Sequence, residues 1–194
     1  MDSKYEINSI NLLQLIKNRR SIRKFKKQLL ENQDLIDLID AGIHAPSGSN
    51  TQCYRFKIID KKIDMEFLGK SKLKWIADAP NAILVYADTA QCPYLKSKRN
   101  KVFELLPVQD CAMAMQNICL LAESKGVAQC VVQLSDTWPT ANKIKEYFNL
   151  NATDELMGIV VLGYPDEDVQ YSEDKHAGRD IKRKDIEYYI GELQ

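Results

Sequence analysis

The chain has 194 residues, enough for one domain spanning 1–194 with a substantial core, and its 45% apolar and 28% charged residues are those of an ordinary globular protein. Its 27 basic and 27 acidic side chains cancel, which excludes a global attraction to nucleic acid or an anionic membrane and leaves any basic site local. Five cysteines (53, 92, 111, 119, 130) without a C-x-x-C pair, and only 2 histidines, argue against a disulfide framework, a thiol zinc site or a histidine-rich metal centre.

Residues 1–9 carry Asp2 and Glu6, and the apolar run Ile10 to Ile16 is broken by Asn11 and Gln14. Neither a signal peptide nor a membrane span is read there, so reduced thiols in a cytoplasmic compartment are expected. Ser9 can cap a helix to about Lys17, with Ile10, Leu13 and Ile16 on one stripe. Arg19, Arg20, Ser21, Arg23 and Lys24 follow as a concentrated basic segment. Guanidinium forks match phosphate oxygens, but a solvated basic turn would carry the same residues.

A second helix is expected from about Asn32, with Leu35, Leu38, Ile39 and Ile43 at helical spacing and Pro46 ending it. Turn formers and amides occupy 47–52. Tyr54–Ile59 reads as a strand, a short charged helix with Ile63, Phe67 and Leu68 follows, and the apolar run Ala82–Ala87 reads as a central strand covered on both faces. Residues 88–106, with Pro93 and the cations Lys96, Lys98, Arg99 and Lys101, read as a surface loop. Pro107 suits the first turn of a buried helix, apolar almost all round, that Gly126 stops.

Val127–Leu134 mixes apolar residues with Gln129 and Gln133, Thr137-Trp138-Pro139 is expected to begin a helix containing Ile144, Tyr147 and Phe148, and Leu156–Gly163 reads as a second buried strand. A polar tail over 166–183 precedes a short docking element at Asp185–Leu193.

No Rossmann fingerprint, P-loop or nucleophile elbow is present. His44 at a helix end suits capping or packing, and Cys111 and Cys119 suit buried apolar positions. The chain offers anion binders and amides but no evident acid, base or nucleophile, which points to a cofactor that carries the chemistry.

Arg19-Arg20-Ser21-Ile22-Arg23-Lys24-Phe25 resembles the R-R-S-x-R-x-F opening of the FMN-dependent nitroreductase family. Ala45-Pro46-Ser47-Gly48-Ser49-Asn50-Thr51-Gln52 is similar to its A-P-S-x-x-N-x-Q segment, and Ala79-Pro80-Asn81-Ala82-Ile83-Leu84-Val85 to its A-P-x-x-I-x-V strand. The stretch from Asp110 to Gly126-Val127, the turn Gly163-Tyr164-Pro165 and the late pair Arg183-Lys184 continue the match in order.

The resemblance implies an α+β fold, a central mostly antiparallel sheet flanked by helices, in an intertwined homodimer with FMN at the subunit interface. Arg19, Arg20, Ser21 and Arg23 would grip the phosphate, ribityl chain and pyrimidine edge. Pro46, Ser47, Asn50 and Gln52 would reach the flavin bound mainly by the other subunit. Val131, Val132 and Gln133 would line the ring face, and Arg183, with Lys184 or Arg179 as alternatives, the phosphate. NAD(P)H would be the electron donor and a nitroaromatic, quinone or related acceptor the oxidant, in a ping-pong cycle. A specialised role such as dehalogenation or azoline oxidation would draw on the 88–106 insert. The alternative is a module that holds FMN without turnover. Two positions depart from the family pattern: Cys53-Tyr54 replaces the common P-W, and Gln133 stands where many members have Glu.

Overall fold

The computed structural model describes residues 9–92, 105–166, 184 and 187–190. Tyr54–Ile59 (β1), Asn81–Asp88 (β2), Ala128–Gln133 (β3) and Asp154–Gly163 (β4) form one sheet in the order β1-β2-β4-β3, and every pairing is antiparallel. β2 and β4 are therefore central. That position explains the continuous burial of Ala82, Ile83, Leu84 and Val85, since an inner strand covered on both faces has no wet side. β1 and β3 are the two edges.

Helices Ser9–Asn18 (α1), Asn32–Ile43 (α2) and Leu106–Ser124 (α4) pack together, with α4 laid on one face of the sheet. Their core joins Leu35, Leu38, Cys111, Ile118 and Cys119 to Tyr54, Val85 and Val160. Lys125, just beyond α4, grips Asp34 and Asp37 of α2 at 2.9 and 2.7 Å. Helices Lys62–Ser71 (α3) and Ala141–Tyr147 (α5) cover the other face, where Met65, Leu68, Ile144 and Phe148 meet Leu84, Val132 and Ile159. The last described helix is Glu187–Ile190 (α6).

Several expectations from sequence are met closely. β1 has the expected ends, α2 stops before Pro46, and Gly126 takes φ +69° just past α4, where a side chain would be strained. His44 caps α2, its Nδ1 2.8 Å from the Asp40 carbonyl.

Other expectations are corrected. The helix expected at Thr137-Trp138-Pro139 begins at Ala141, because the Trp138 and Ala141 amides close successive turns onto Ser135 and Trp138. α4 is buried on one side only: Ala114, Met115 and Ile118 are covered, whereas Ala112 and Met113 face outward. Ile43 and Ile63, counted above toward helix cores, are exposed. Of the 88–106 insert, residues 93–104 lie outside the described residues, as do 167–183 of the tail, with Arg179 and Arg183, and 185–186 and 191–193 of the last element. Among the described residues no helix is long and apolar enough to cross a membrane.

Candidate cofactor site

The basic segment runs extended from the end of α1 along the β3 edge. Ser21 forms a parallel bridge with Gln129, the Ile22 amide donates to the Gln129 carbonyl at 2.9 Å, and Phe25 bridges Pro165. Gln129 is fully buried, and its side-chain amide donates to the Arg20 carbonyl at 3.0 Å. An extended backbone sends successive side chains to opposite sides. Arg20 and Ile22 accordingly line a small cavity of about 120 Å³ with Glu123 and Pro165, while Arg23 lines a separate one. The Arg20 guanidinium folds back onto the carbonyls of Lys17 and Arg19, which are left unpaired by intrahelical bonds where α1 ends. Arg19 lies near Cys119: burial pushes that thiol up to about 12, against a smaller downward pull from the arginine.

The Arg23 cavity measures about 510 Å³ and is lined by Arg23, Lys72, Leu73, Trp75, Trp138 and β3 from Cys130 to Gln133. Both tryptophans of the chain are in its wall. The Arg23 guanidinium is 6.0 Å from the Trp75 ring centre, and Lys72 Nζ lies over the Trp138 ring at 2.6 Å, two cations held against aromatic faces. Burial moves the Lys72 pKa downward. The wall combines planar rings, an apolar strand edge (Val131 and Val132) and two positive charges, at a volume typical of a small-molecule or cofactor pocket. It suits a planar, anionic, partly apolar group, and so fits a flavin.

The amide-rich loop is built differently. After Ser47 the chain makes a turn of 3-10 helix, Gly48–Asn50, in which Ser49 and Asn50 take φ 49° and 57°; Gln52 follows at 49°. Left-handed backbone costs a residue with a side chain roughly 1–2 kcal/mol, so three in four positions need an external hold. That hold is Asp110, on the buried side of α4 and 1% exposed. Its Oδ1 accepts from the Gly48 amide at 3.0 Å, and its Oδ2 from the Thr51 hydroxyl at 3.5 Å and the Cys53 thiol at 4.0 Å. The Ser47 hydroxyl accepts from the Gln52 amide at 3.1 Å, and the Gln52 side chain donates to Asn50 Oδ1 at 2.8 Å. Burial, the neighbouring Cys92 and the Asp110 charge push the Cys53 thiol up to about 11, so it is a neutral donor and no nucleophile at neutral pH.

Of the residues named from sequence, Arg23, Val131, Val132 and Gln133 come together in one cavity. Arg20 faces the other cavity, Ser21 is tied to β3 by its backbone, and Pro46, Ser47, Asn50 and Gln52 stand elsewhere. The loop that carries them leads into β1, whereas the Arg23 cavity is at β3. Two strands lie between those edges, about 14 Å at the usual spacing. The loop also joins the α4 face of the sheet, while Trp75, Trp138 and Val132 belong to the other core. Within one chain the two groups do not meet. The sequence reading missed Lys72, Trp75 and Trp138 as lining of the cavity and Asp110 as the acceptor for the loop, although an acid inside an apolar helix was a visible signal for the last.

The family model described as "Nitroreductase family" matches residues 16–72 and 65–164. A protein of Methanothermobacter thermautotrophicus named "Putative NADH dehydrogenase/NAD(P)H nitroreductase" is 26% identical over 167 residues, 84% of this chain and 81% of that protein. An iodotyrosine deiodinase of Thermotoga neapolitana is 26% identical, over 80% of this chain and 89% of its own length. Among solved structures, an FMN-dependent nitroreductase from Clostridium difficile R20291 superposes with a TM-score of 0.68 at 26% identity, covering 81% of this chain and 90% of that one.

Proposed function

The chain belongs to the nitroreductase family, and from that premise we propose that it is an NAD(P)H-dependent flavin oxidoreductase holding FMN between the Arg23 cavity of one copy and the amide loop of another. The observation that carries this reading is the separation of the two site halves, at opposite edges and on opposite faces of one sheet. A second copy supplies the missing half. The surface such a copy would need is present: Leu13, Ile16, Ile36, Val108 and Met113, each between 37% and 54% exposed, leave apolar area open on α1, α2 and α4.

FMN held there would supply the redox chemistry, with NAD(P)H as electron donor and a nitroaromatic, quinone or related compound as acceptor in a ping-pong cycle. The protein supplies position and charge. Arg23 and Lys72 put positive potential in the wall of the cavity, which favours an anionic, electron-rich form of whatever ring lies against them. Trp75 and Trp138 stand against the two cations and keep them oriented. Val131, 37% exposed at the open β3 edge, offers an apolar contact to a ring face. Asn50 and Gln52, already bonded to each other, present their remaining amide groups outward. Cys53, Cys111 and Cys119 take no part: they are buried and held protonated. A cytoplasmic setting belongs to the same reading.

The iodotyrosine deiodinase match favours one variant of this function, in which the acceptor is a halogenated phenol. Initial rates over a grid of NADH and nitroaromatic concentrations test the proposal. Parallel double-reciprocal lines are expected, with an iodinated phenol run beside the nitro compound to separate the two acceptor classes. Absence of turnover by a protein that retains FMN would leave a flavin-holding module.

A further inference from the structure

We propose that Asp110 is a positioning residue for the cofactor: its buried carboxylate holds the 47–53 loop in left-handed backbone and thereby sets Asn50 and Gln52 toward the flavin of a second copy. This rests on the shared FMN site proposed above.

Asp110 is an expensive residue to bury. It sits in α4 among Cys111, Ala114 and Met115, where an apolar side chain would carry no desolvation cost, and among the described residues no lysine or arginine pairs with it. A buried carboxylate without a cation is retained only when several donors satisfy it. Its described donors, the Gly48 amide, the Thr51 hydroxyl and the Cys53 thiol, all come from the loop, from three positions spread over six residues.

Those donors bracket the strained stretch. Gly48 precedes Ser49 and Asn50, and Thr51 and Cys53 flank Gln52, the three residues with φ between 49° and 57°. Fixing both sides of each left-handed position prevents the backbone from relaxing to ordinary angles, and strain of this kind persists only where its surroundings over-determine it. The exposed result is the Gln52–Asn50 amide pair, locked by its own 2.8 Å hydrogen bond. The Cys53 thiol adds a third hydrogen bond to the clamp.

The test uses the full chain and four variants: Asp110→Asn, Asn50→Ala, Gln52→Ala and the Asp110→Asn/Asn50→Ala double. Two readouts apply, amide hydrogen exchange at Gly48 and Gln52 in FMN-free protein and the FMN dissociation constant by equilibrium dialysis. Asp110→Asn, which presents an NH2 where the loop needs an acceptor, is expected to speed exchange at both amides by about ten-fold or more while α2 stays protected, and to weaken FMN by about ten-fold. The double variant is expected to bind FMN little more weakly than Asn50→Ala alone, because both act through one amide pair.

Unchanged exchange and FMN affinity in Asp110→Asn, or losses that simply add in the double variant, overturn the proposal. Wild-type FMN affinity in Asn50→Ala and Gln52→Ala would instead sink the shared-site reading, with exchange still reporting whether Asp110 holds the loop. If Asp110→Asn does not fold, Thr51→Val removes one donor at a half-buried position. It should speed Gln52 exchange and weaken FMN by about three-fold, and no change in either overturns the proposal.

Discussion

Replacing Arg23 and Arg20 by alanine, one at a time, separates the two sides of the basic segment. In sequence the two arginines look equivalent. In the structure Arg23 lines the 510 Å³ cavity beside Trp75, whereas the Arg20 guanidinium is spent on the carbonyls of Lys17 and Arg19. Losing a charge-assisted hydrogen bond in a half-buried cavity costs about 1.5–3 kcal/mol, which is about 12- to 160-fold in a dissociation constant. Arg23→Ala is therefore expected to weaken FMN within that range. Arg20→Ala removes exposed contacts at a helix end, worth at most about 1 kcal/mol of stability, and is expected to change FMN affinity less than about three-fold. Equilibrium dialysis of each apoprotein against FMN reads the difference, with thermal unfolding as a control for folding. Equal losses in the two variants, or a larger loss in Arg20→Ala, would refute the assignment of the cofactor to the Arg23 side.

Three further outcomes are expected. Met113→Glu places a charge in the apolar area on α4 and should shift the sedimenting species from dimer to monomer, with loss of FMN; a dimer that still holds FMN would show that another surface is used. Gly69→Ala puts a Cβ 2.6 Å from that of Ala77, with the Ala77 amide 2.9 Å away. Rigid neighbours cannot yield as a flexible side chain would, so the variant should lose about 1–3 kcal/mol in urea unfolding, while FMN affinity of the folded fraction stays unchanged. The Cys53 thiol titrates at about 11 in the folded chain against about 9 when unfolded. The raised value means that its contribution to stability is complete below pH 9 and is lost as pH rises from there through 11. Denaturation curves at pH 8 and pH 10 should show this loss, and Cys53→Ala should make it shallower.

How much could be read from sequence depended on whether local pattern and tertiary burial agreed. β1 and β2 were legible because a run of aromatic and β-branched residues bounded by Asp60, and an apolar run between Asn81 and Asp88, have few alternatives. α4 was legible as a helix but not as a two-sided one. Met113 and Met115 carry the same side chain, and only the sheet decides that Met115 is covered while Met113 is 37% exposed. Pro139 gave a helix-start signal that the turn through Ser135 and Trp138 overrode, and that turn brings the Trp138 ring beneath Lys72. The motif at 19–25 was visible in full, yet its alternation could not be assigned to sides until Ser21 paired with Gln129. Lys72 and Trp75 had no local signature, since they stand in an ordinary charged stretch far in sequence from Arg23 and Val131.

The most direct measurement is an anaerobic absorbance titration of the purified, FMN-reconstituted protein with NADH and, separately, NADPH. Flavin oxidoreduction at the Arg23 cavity predicts a yellow protein whose visible flavin band is bleached by at least one nucleotide and returns when a nitroaromatic acceptor is added. A yellow protein indifferent to both nucleotides, or a colourless one that takes up no FMN, would contradict it.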